Sequence, residues 1–428
     1  MNRFPNGFLW GAATASYQIE GGGHDDGRVE SIWDRFSHTP GKIYKNQTGD
    51  VSTDHYHRMP EDVDLMASLG LQAYRFSIAW PRVFTVGVKG LDFYKRLIER
   101  LNSRGIKPAA TLYHWDLPQA LEDAGGWPHR DTAQRFAEYS EMVVKHLDGV
   151  AMWMTLNEPW CSAYLGYWTG EHAPGRKTKD FSLALPAAHH LLLGHGLAVQ
   201  AMRSVRPAAK IGIALNLYPA YPASSSPEDV AAARRMDGFT NRWFLEPVVR
   251  ARYPSDMPYG DLDFVRRGDL KTIGQPIDFL GINYYFRNRV RADKRSNFLG
   301  LRDVRKQPPL TDMGWEIVPQ CLYDILIQVK NLTGDLPLYI TENGAAFPRV
   351  HDPRRVSFLQ RHFENAWRAI QDGVPLKGYF VWSFLDNYEW AYGYSKRFGL
   401  VYVDYKTQKR TPKTSALWYR DVIARNGL

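Results

Sequence analysis

Glu158 and Glu342 each close an apolar run, and each has an asparagine beside it, in Thr155-Leu156-Asn157-Glu158-Pro159 and Ile340-Thr341-Glu342-Asn343-Gly344. One glutamate in such a setting commonly marks only the point where a strand meets solvent. Two of them, with the same local grammar, point to a catalytic pair on a rigid support. Paired carboxyls suit cleavage of a glycosidic bond: one holds a proton for the leaving oxygen while the other, ionised, attacks or stabilises the anomeric carbon. Their surroundings must then drive the two pKa values apart. Arg75, if it points toward Glu342, would keep that carboxylate ionised. Glu158 has no cation beside it in sequence and could keep its proton near neutral pH. Which carboxyl receives the arginine is not decided at this level.

Both glutamates need strands to present them. Eight apolar runs read as strands: Phe8–Ser16, Ala73–Trp80, Lys107–Trp115, Val150–Pro159, Ala209–Tyr218, Ile277–Phe286, Pro337–Gly344 and Leu376–Asp386. Amphipathic stretches between them, including Pro60–Leu69, Asp92–Arg104, Asp131–Leu147, Leu183–Val205, Trp315–Leu332 and Pro353–Ile370, read as helices. Strand–helix alternation implies parallel pairing through crossover helices. Eight such units predict an α/β fold, a single-domain (β/α)8 TIM barrel over residues 1–428, with its active site at the carboxyl ends of the strands. Polar and aromatic residues gather at those ends. Gln18 follows the first strand and Arg75 lies in the second, while His114, Trp115 and Asp116 close the third. Asn157 and Glu158 close the fourth, Asn283, Tyr284 and Tyr285 the sixth, Glu342 the seventh and Trp382 the eighth. Random placement would scatter them over both ends.

Composition narrows the remaining classes. With 428 residues, 44% hydrophobic and 23% charged, the chain reads as soluble and globular with a sizeable core. The net charge of +9 is spread over scattered basic pairs, such as Arg234-Arg235 and Arg354-Arg355, rather than a nucleic-acid-binding block. Only Cys161 and Cys321 occur, which fits a reducing compartment. The amino terminus from Met1 to Gly11 lacks a signal peptide's long apolar stretch, and no run of about 18 apolar residues occurs, so a cytoplasmic protein with no membrane partner is expected. Metal chemistry has weak support. His55-Tyr56-His57 has a His-x-His spacing but no apolar strand before it, and loop or helix-cap roles suit it better. His189, His190 and His195 lie in an Ala/Leu-rich helical stretch where packed or solvated histidines are expected. Gly21-Gly22-Gly23 is not followed by the Lys-Ser/Thr of a phosphate loop.

The motifs Phe8-Leu9-Trp10-Gly11, Gln18-Ile19-Glu20-Gly21, Tyr74-Arg75-Phe76-Ser77-Ile78-Ala79-Trp80 and Leu112-Tyr113-His114-Trp115-Asp116-Leu117-Pro118 occur in that order. With the two glutamate motifs and Trp382-Ser383-Phe384-Leu385-Asp386-Asn387, the chain resembles glycoside hydrolase family 1, the β-glucosidase family, from Phe4 to Tyr419. The resemblance implies a retaining mechanism, with Glu342 as nucleophile and Glu158 as acid and then base. It also implies that Asn157 bonds the sugar 2-hydroxyl, that Arg75 and Tyr285 hold Glu342, and that Gln18, His114, Glu389 and Trp390 bind the remaining hydroxyls. Trp382 would lie beneath the ring and Trp315 would stack on the leaving group. Asn283 is counted with the catalytic group, and Trp115 and Phe398 with the sugar-binding residues.

The implied activity is hydrolysis of terminal β-glucosides, with β-galactosides or β-fucosides as further substrates, and without cofactor or metal. A small-molecule glucoside or oligosaccharide is the expected partner, and oligomeric state is not legible. Two alternatives are a catalytically silent sugar-binding barrel and a metal-dependent barrel hydrolase. A third, a 6-phospho-β-glycosidase, is disfavoured because Glu389, beside Trp390, Lys396 and Phe398, would repel a phosphate. The chain departs from the family in three places. The connection from Phe347-Pro348-Arg349 to Val350-His351-Asp352 is short, Phe84–Gly90 is also short, and Tyr392 stands where the family commonly has Glu. The short connection predicts an open mouth on the leaving-group side.

Overall fold

A computed structural model describes residues 2–296 and 299–428; Met1, at the head of the expected leaderless terminus, lies outside the described residues. Eight strands form the centre: β1 (Leu9–Ala13), β2 (Ala73–Ser77), β3 (Lys107–Tyr113), β4 (Met152–Asn157), β5 (Ile211–Asn216), β6 (Phe279–Asn283), β7 (Leu338–Asn343) and β8 (Leu376–Trp382). Each pairs in parallel with the next, and β8 closes on β1 through pairs such as Ala13 with Trp382. This is the expected (β/α)8 barrel. The strands are buried along almost their whole length, as parallel strands covered by helices on the outside must be. Asn426 and Tyr419, from the carboxyl-terminal helix Thr414–Arg425 and its cap, bind Trp10 Nε1 and the Gly11 carbonyl, each at 2.9 Å, and so fasten the chain's end to β1.

The ladders are shorter than the apolar runs that predicted them. The residues just after β3, β4 and β6 stay buried but reach the rim, as His114, Trp115, Glu158 and Tyr285 do. Register breaks fall at two of those ends. β7 slips against both neighbours around Glu342, and β4 slips against β5 between Met154 and Asn157. Such bulges re-aim the side chains that follow. Gly344 is required for a related reason: a Cβ there would run into the Trp382 carbonyl, so only glycine lets the end of β7 approach β8.

Two helix expectations are corrected. The stretch Trp315–Leu332 is helical only over Gln320–Thr333. Pro319 disfavours helical geometry at the residue before it, so Met313–Val318 stays a loop, and that loop carries Trp315 to the rim. The helix expected from Pro60 instead starts at His55 and carries Pro60 within it. Three short strands, Ala220–Pro222, Asn288–Ala292 and Leu301–Asp303, form a small sheet beside the barrel that no sequence run announced.

The short connection after Glu342 is fixed by one buried arginine. Arg355 Nη1 donates to the carbonyls of Ala345 (2.5 Å) and Phe398 (2.6 Å), Nη2 to those of Phe347 (2.9 Å) and Arg397 (3.0 Å), and Nε to Asp352 (2.8 Å). Replacing it leaves the buried Asp352 carboxylate without its cation and the Ala345 carbonyl without a partner. Arg355→Met should therefore lower stability by about 3–5 kcal/mol, read as a lower urea midpoint at unchanged denaturant slope. A midpoint equal to that of the parent would show that the network does not support this segment.

Candidate active site

The carboxyl ends of the strands surround a cavity of about 450 Å³, within the usual range of small-molecule sites. Glu342 reaches it from the bulged end of β7. Arg75, wholly buried on β2, donates from Nη1 to Glu342 Oε1 at 2.5 Å, and Tyr285 Oη donates to Glu342 Oε2 at 2.6 Å. Each oxygen of Glu342 thus receives a hydrogen bond, one of them from a permanent cation. Glu158 sits one residue beyond β4 with φ of 45°, a left-handed conformation that a glutamate adopts only at a cost. Its Oε1 accepts from Asn283 Nδ2 at 2.7 Å and its Oε2 from Cys161 Sγ at 3.1 Å, both neutral donors.

Asparagines and a histidine connect the two carboxyls. Asn157 Oδ1 accepts from Arg75 Nη2 (2.5 Å) and Asn283 Nδ2 (3.0 Å), and Asn283 Oδ1 accepts from Thr341 Oγ1 (2.7 Å). With its oxygen so used, Asn157 turns Nδ2 toward His114 Nε2 at 3.0 Å, which makes Nε2 the acceptor and leaves the proton on His114 Nδ1. That Nδ1 has no protein partner, and neither do Gln18 Oε1 and Glu389 Oε2, although all three atoms are buried. Unpaired polar atoms are rare inside proteins, and three at one rim call for a ligand rich in hydroxyls.

Burial raises the proton affinity of every carboxyl here. Glu158 is pushed up to about 7, first by burial and then by the charge of Glu342, with Asn283 and Cys161 opposing. Burial raises Glu342 as well, but the charge of Arg75 and the Tyr285 hydrogen bond work against it. A proton shared by the pair therefore resides on Glu158. Glu389 is pushed up to about 8 by burial and by both other carboxylates, so its carboxyl can donate as well as accept. Burial and Arg75 hold His114 far below its ordinary value, as a neutral ring.

Of the residues singled out in the sequence, Glu158, Glu342, Tyr285, His114, Trp115, Trp315, Trp382, Glu389, Trp390 and Phe398 line the cavity. Arg75, Asn157 and Asn283 stand directly behind the carboxyls, and Gln18 binds the Tyr388 carbonyl (2.9 Å), next to Glu389. Trp115 also donates Nε1–H to the Asn157 carbonyl at 2.9 Å and packs against Trp390, with centroids 4.6 Å apart. The histidines weighed for metal binding lie elsewhere: His55 binds Asp62, His189 binds Asp269 and His195 binds Thr155. Among the described residues, no three His, Cys, Asp or Glu side chains group to hold a metal ion, and no helix is long and apolar enough to cross a membrane.

Several lining residues escaped the sequence reading. Cys161 and Arg287 were findable, the first one helical turn after Glu158 and the second two positions beyond Tyr285. Met236, Phe239 and Thr240 come from the excursion between β5 and β6, which carries no recognisable pattern.

A parallel eight-stranded barrel with two buried carboxyls at its rim defines the class, and comparison with known proteins defines the family. The profile of glycosyl hydrolase family 1 matches residues 1–428. Beta-glucosidase A of Acetivibrio thermocellus is 48% identical over 445 residues, covering 99% of each chain. The 1,4-beta-D-glucan glucohydrolase of Thermotoga neapolitana is 49% identical over 445 residues, covering all of both. Among solved structures, the family 1 β-glucosidase from Thermotoga maritima superposes with a TM-score of 0.96 at 48% identity, covering 100% of both chains. The chain belongs to glycosyl hydrolase family 1.

A group whose folded-state pKa lies above its unfolded value supports the fold fully only while both states are protonated. For Glu158 that support declines as pH rises from about 4.3, the unfolded value, to about 7. Glu158→Gln removes the penalty of ionising a buried carboxyl. The variant should be more stable than the wild type to urea at pH 8, by on the order of a few kcal/mol, and the gain should shrink toward pH 4. A gain that is constant with pH, or largest in acid, would contradict this assignment.

Proposed function

We propose that the chain is a retaining β-glucosidase in which Glu342 is the nucleophile and Glu158 the acid and base, with residues 1–428 acting as one catalytic domain. The observation that carries the assignment is the asymmetry of donors: Glu342 accepts from Arg75 and Tyr285, whereas Glu158 accepts only from Asn283 and Cys161. In the first step, ionised Glu342 attacks the anomeric carbon as the bond to the leaving oxygen breaks and Glu158 passes its proton to that oxygen. The loss of that proton restores a charged Glu158, which draws a proton from the incoming water. The hydroxide equivalent displaces Glu342 from the same face that the aglycone left, and the configuration is retained.

Asn157, positioned by Arg75 and His114, is suited to the 2-hydroxyl, while His114 Nδ1–H, Gln18 Oε1 and Glu389 Oε2 supply one donor, one acceptor and a group able to act as either. A carboxyl that switches roles at the far edge of the ring tolerates changes at O4 and O6, which supports β-galactosides and β-fucosides as further substrates. It does not suit a 6-phosphate. The natural setting in this reading is cytoplasmic breakdown of cellulose-derived β-glucans, without cofactor.

Proton NMR of an aryl β-glucoside digest should show the β-anomer first; initial α-anomer would eliminate the double displacement. Glu342→Ala should lose nearly all turnover and, given azide, should yield the α-glycosyl azide, because the small anion enters the vacated face. A β-azide would mean that the two carboxyls are assigned the wrong way round. The profile of kcat/KM against pH should be bell-shaped with its alkaline limb near pH 7, reporting Glu158. Glu158→Gln should flatten that limb and harm poor leaving groups far more than activated ones. Equal loss across leaving groups would remove Glu158 from the role.

A further inference from the structure

The mouth of the cavity is not walled by the connection after Glu342. Among the described residues, none between Asn343 and Val381 lines the cavity, and Ala345 and Phe347 turn their carbonyls toward Arg355 instead. Aromatic rings build that side, and they step outward from the nucleophile. Tyr285 touches Glu342, and Trp315 lies with its centroid 5.3 Å from that of Tyr285. Asp312, in the same loop as Trp315, takes the ammonium of Lys396 on its carbonyl at 2.6 Å, and Lys396 Nζ lies 5.6 Å from the ring centroid of Tyr392.

Tyr392 is unusual in its exposure. Its surface is 47% accessible, and of the large apolar side chains left exposed among the described residues it is the one that lines the cavity. Its backbone is nevertheless held firmly. The Tyr392 N–H donates to the Glu389 carbonyl at 2.9 Å, and its own carbonyl accepts from Ser395 Oγ at 2.7 Å. The main chain that carries the ring is therefore fixed three residues from Glu389, at the edge of the sugar pocket. An exposed aromatic face with an ammonium beside it suits a ligand with an apolar C–H face and a ring of hydroxyls. A flat hydrophobic aglycone would gain little from that charge, whereas a sugar can use both the face and the ammonium's remaining donors.

We propose that Tyr392 is the platform of an outer subsite that takes the second sugar of the aglycone in β-linked glucose oligomers, with Trp315 serving the first. The proposal rests on the β-glucosidase reading above and names the length of substrate that this site accommodates. A stacked aromatic contact of this kind changes affinity by about tenfold or less.

The test compares kcat/KM for the β-1,4-linked trisaccharide and disaccharide of glucose in the wild type, Tyr392→Ala and Tyr392→Phe. Tyr392→Ala should lower the trisaccharide-to-disaccharide ratio by about tenfold or less, and Tyr392→Phe, which keeps the ring, should retain the wild-type ratio. Trp315→Ala should instead depress both saccharides. An unchanged ratio in Tyr392→Ala overturns the outer subsite, and so does a ratio in Tyr392→Phe as low as in Tyr392→Ala, since the ring would then not be what binds. Failure of the wild type to hydrolyse either saccharide or an aryl β-glucoside would overturn the β-glucosidase reading itself, a result distinct from loss of the subsite alone.

Discussion

One buried guanidinium organises the chemistry of this barrel. Arg75 has no access to solvent, and a charge in that position is tolerable only with close, well-aligned partners. It donates to Glu342 and the Thr341 carbonyl on one side and to Asn157 on the other, and so binds the ends of β7 and β4 into a single electrostatic unit. Because its charge is permanent, it favours ionisation of the carboxylate it touches. The second carboxyl, within range of the first and lacking a cation of its own, takes the proton. The orientation of Asn157, the direction in which His114 accepts, and the placement of Asn283 against Glu158 all follow from how that charge is satisfied.

Aiming these groups strains the backbone. Glu158, Trp115 and Trp390 all have left-handed φ values, at 45°, 79° and 46°, and all three line the cavity. Such residues cost on the order of 1–3 kcal/mol each and persist only where the surroundings over-determine them. Here the surroundings are a closed ladder of eight parallel strands, whose register breaks at β4 and β7 coincide with the two carboxyls. Burying Glu158, Glu342 and Glu389 together adds a further penalty that grows as they ionise. The site is thus a place where the fold gives up stability, and the tightly packed apolar layers around the barrel offset it.

The inner and outer parts of the cavity follow different rules. At its floor the polar atoms are buried and fixed, and three of them lack protein partners, so geometry there selects a hydroxyl pattern. At its mouth the walls come from segments outside the barrel ladder: Phe286–Arg289, Asp303–Lys306, Met313–Glu316 and Tyr392. Apart from Glu316, which is buried against Arg287, those side chains are half-buried or exposed, and they act through ring faces and charges that accept more than one partner. Selectivity for the glycone and latitude for the aglycone are consequences of that difference in burial.

Much of this was legible in the chain. Eight buried parallel strands must each read as an apolar run, and the helices that cover them must be amphipathic, so the barrel is written into local pattern. The site residues cluster at strand ends because the fold exposes side chains to a ligand there, and this made Glu158, Glu342, Arg75 and Tyr285 visible as a set. Sequence did not decide which carboxyl receives Arg75, since that depends on registers between strands far apart in the chain, with Arg75 and Glu342 separated by 267 residues. It also misjudged the start of the helix carrying Cys321, because a helical pattern does not show that the helix begins only after Pro319 and leaves Trp315 in a loop. Cys161, Met236 and Phe239 line the cavity through packing rather than pattern, and apolar side chains on helices look alike in sequence whether they face a core or a ligand. Residue types and spacing determined the fold and the reacting groups; only the tertiary structure decided which of them share a proton and what surrounds them, because distance, burial and charge are properties of neighbours in space.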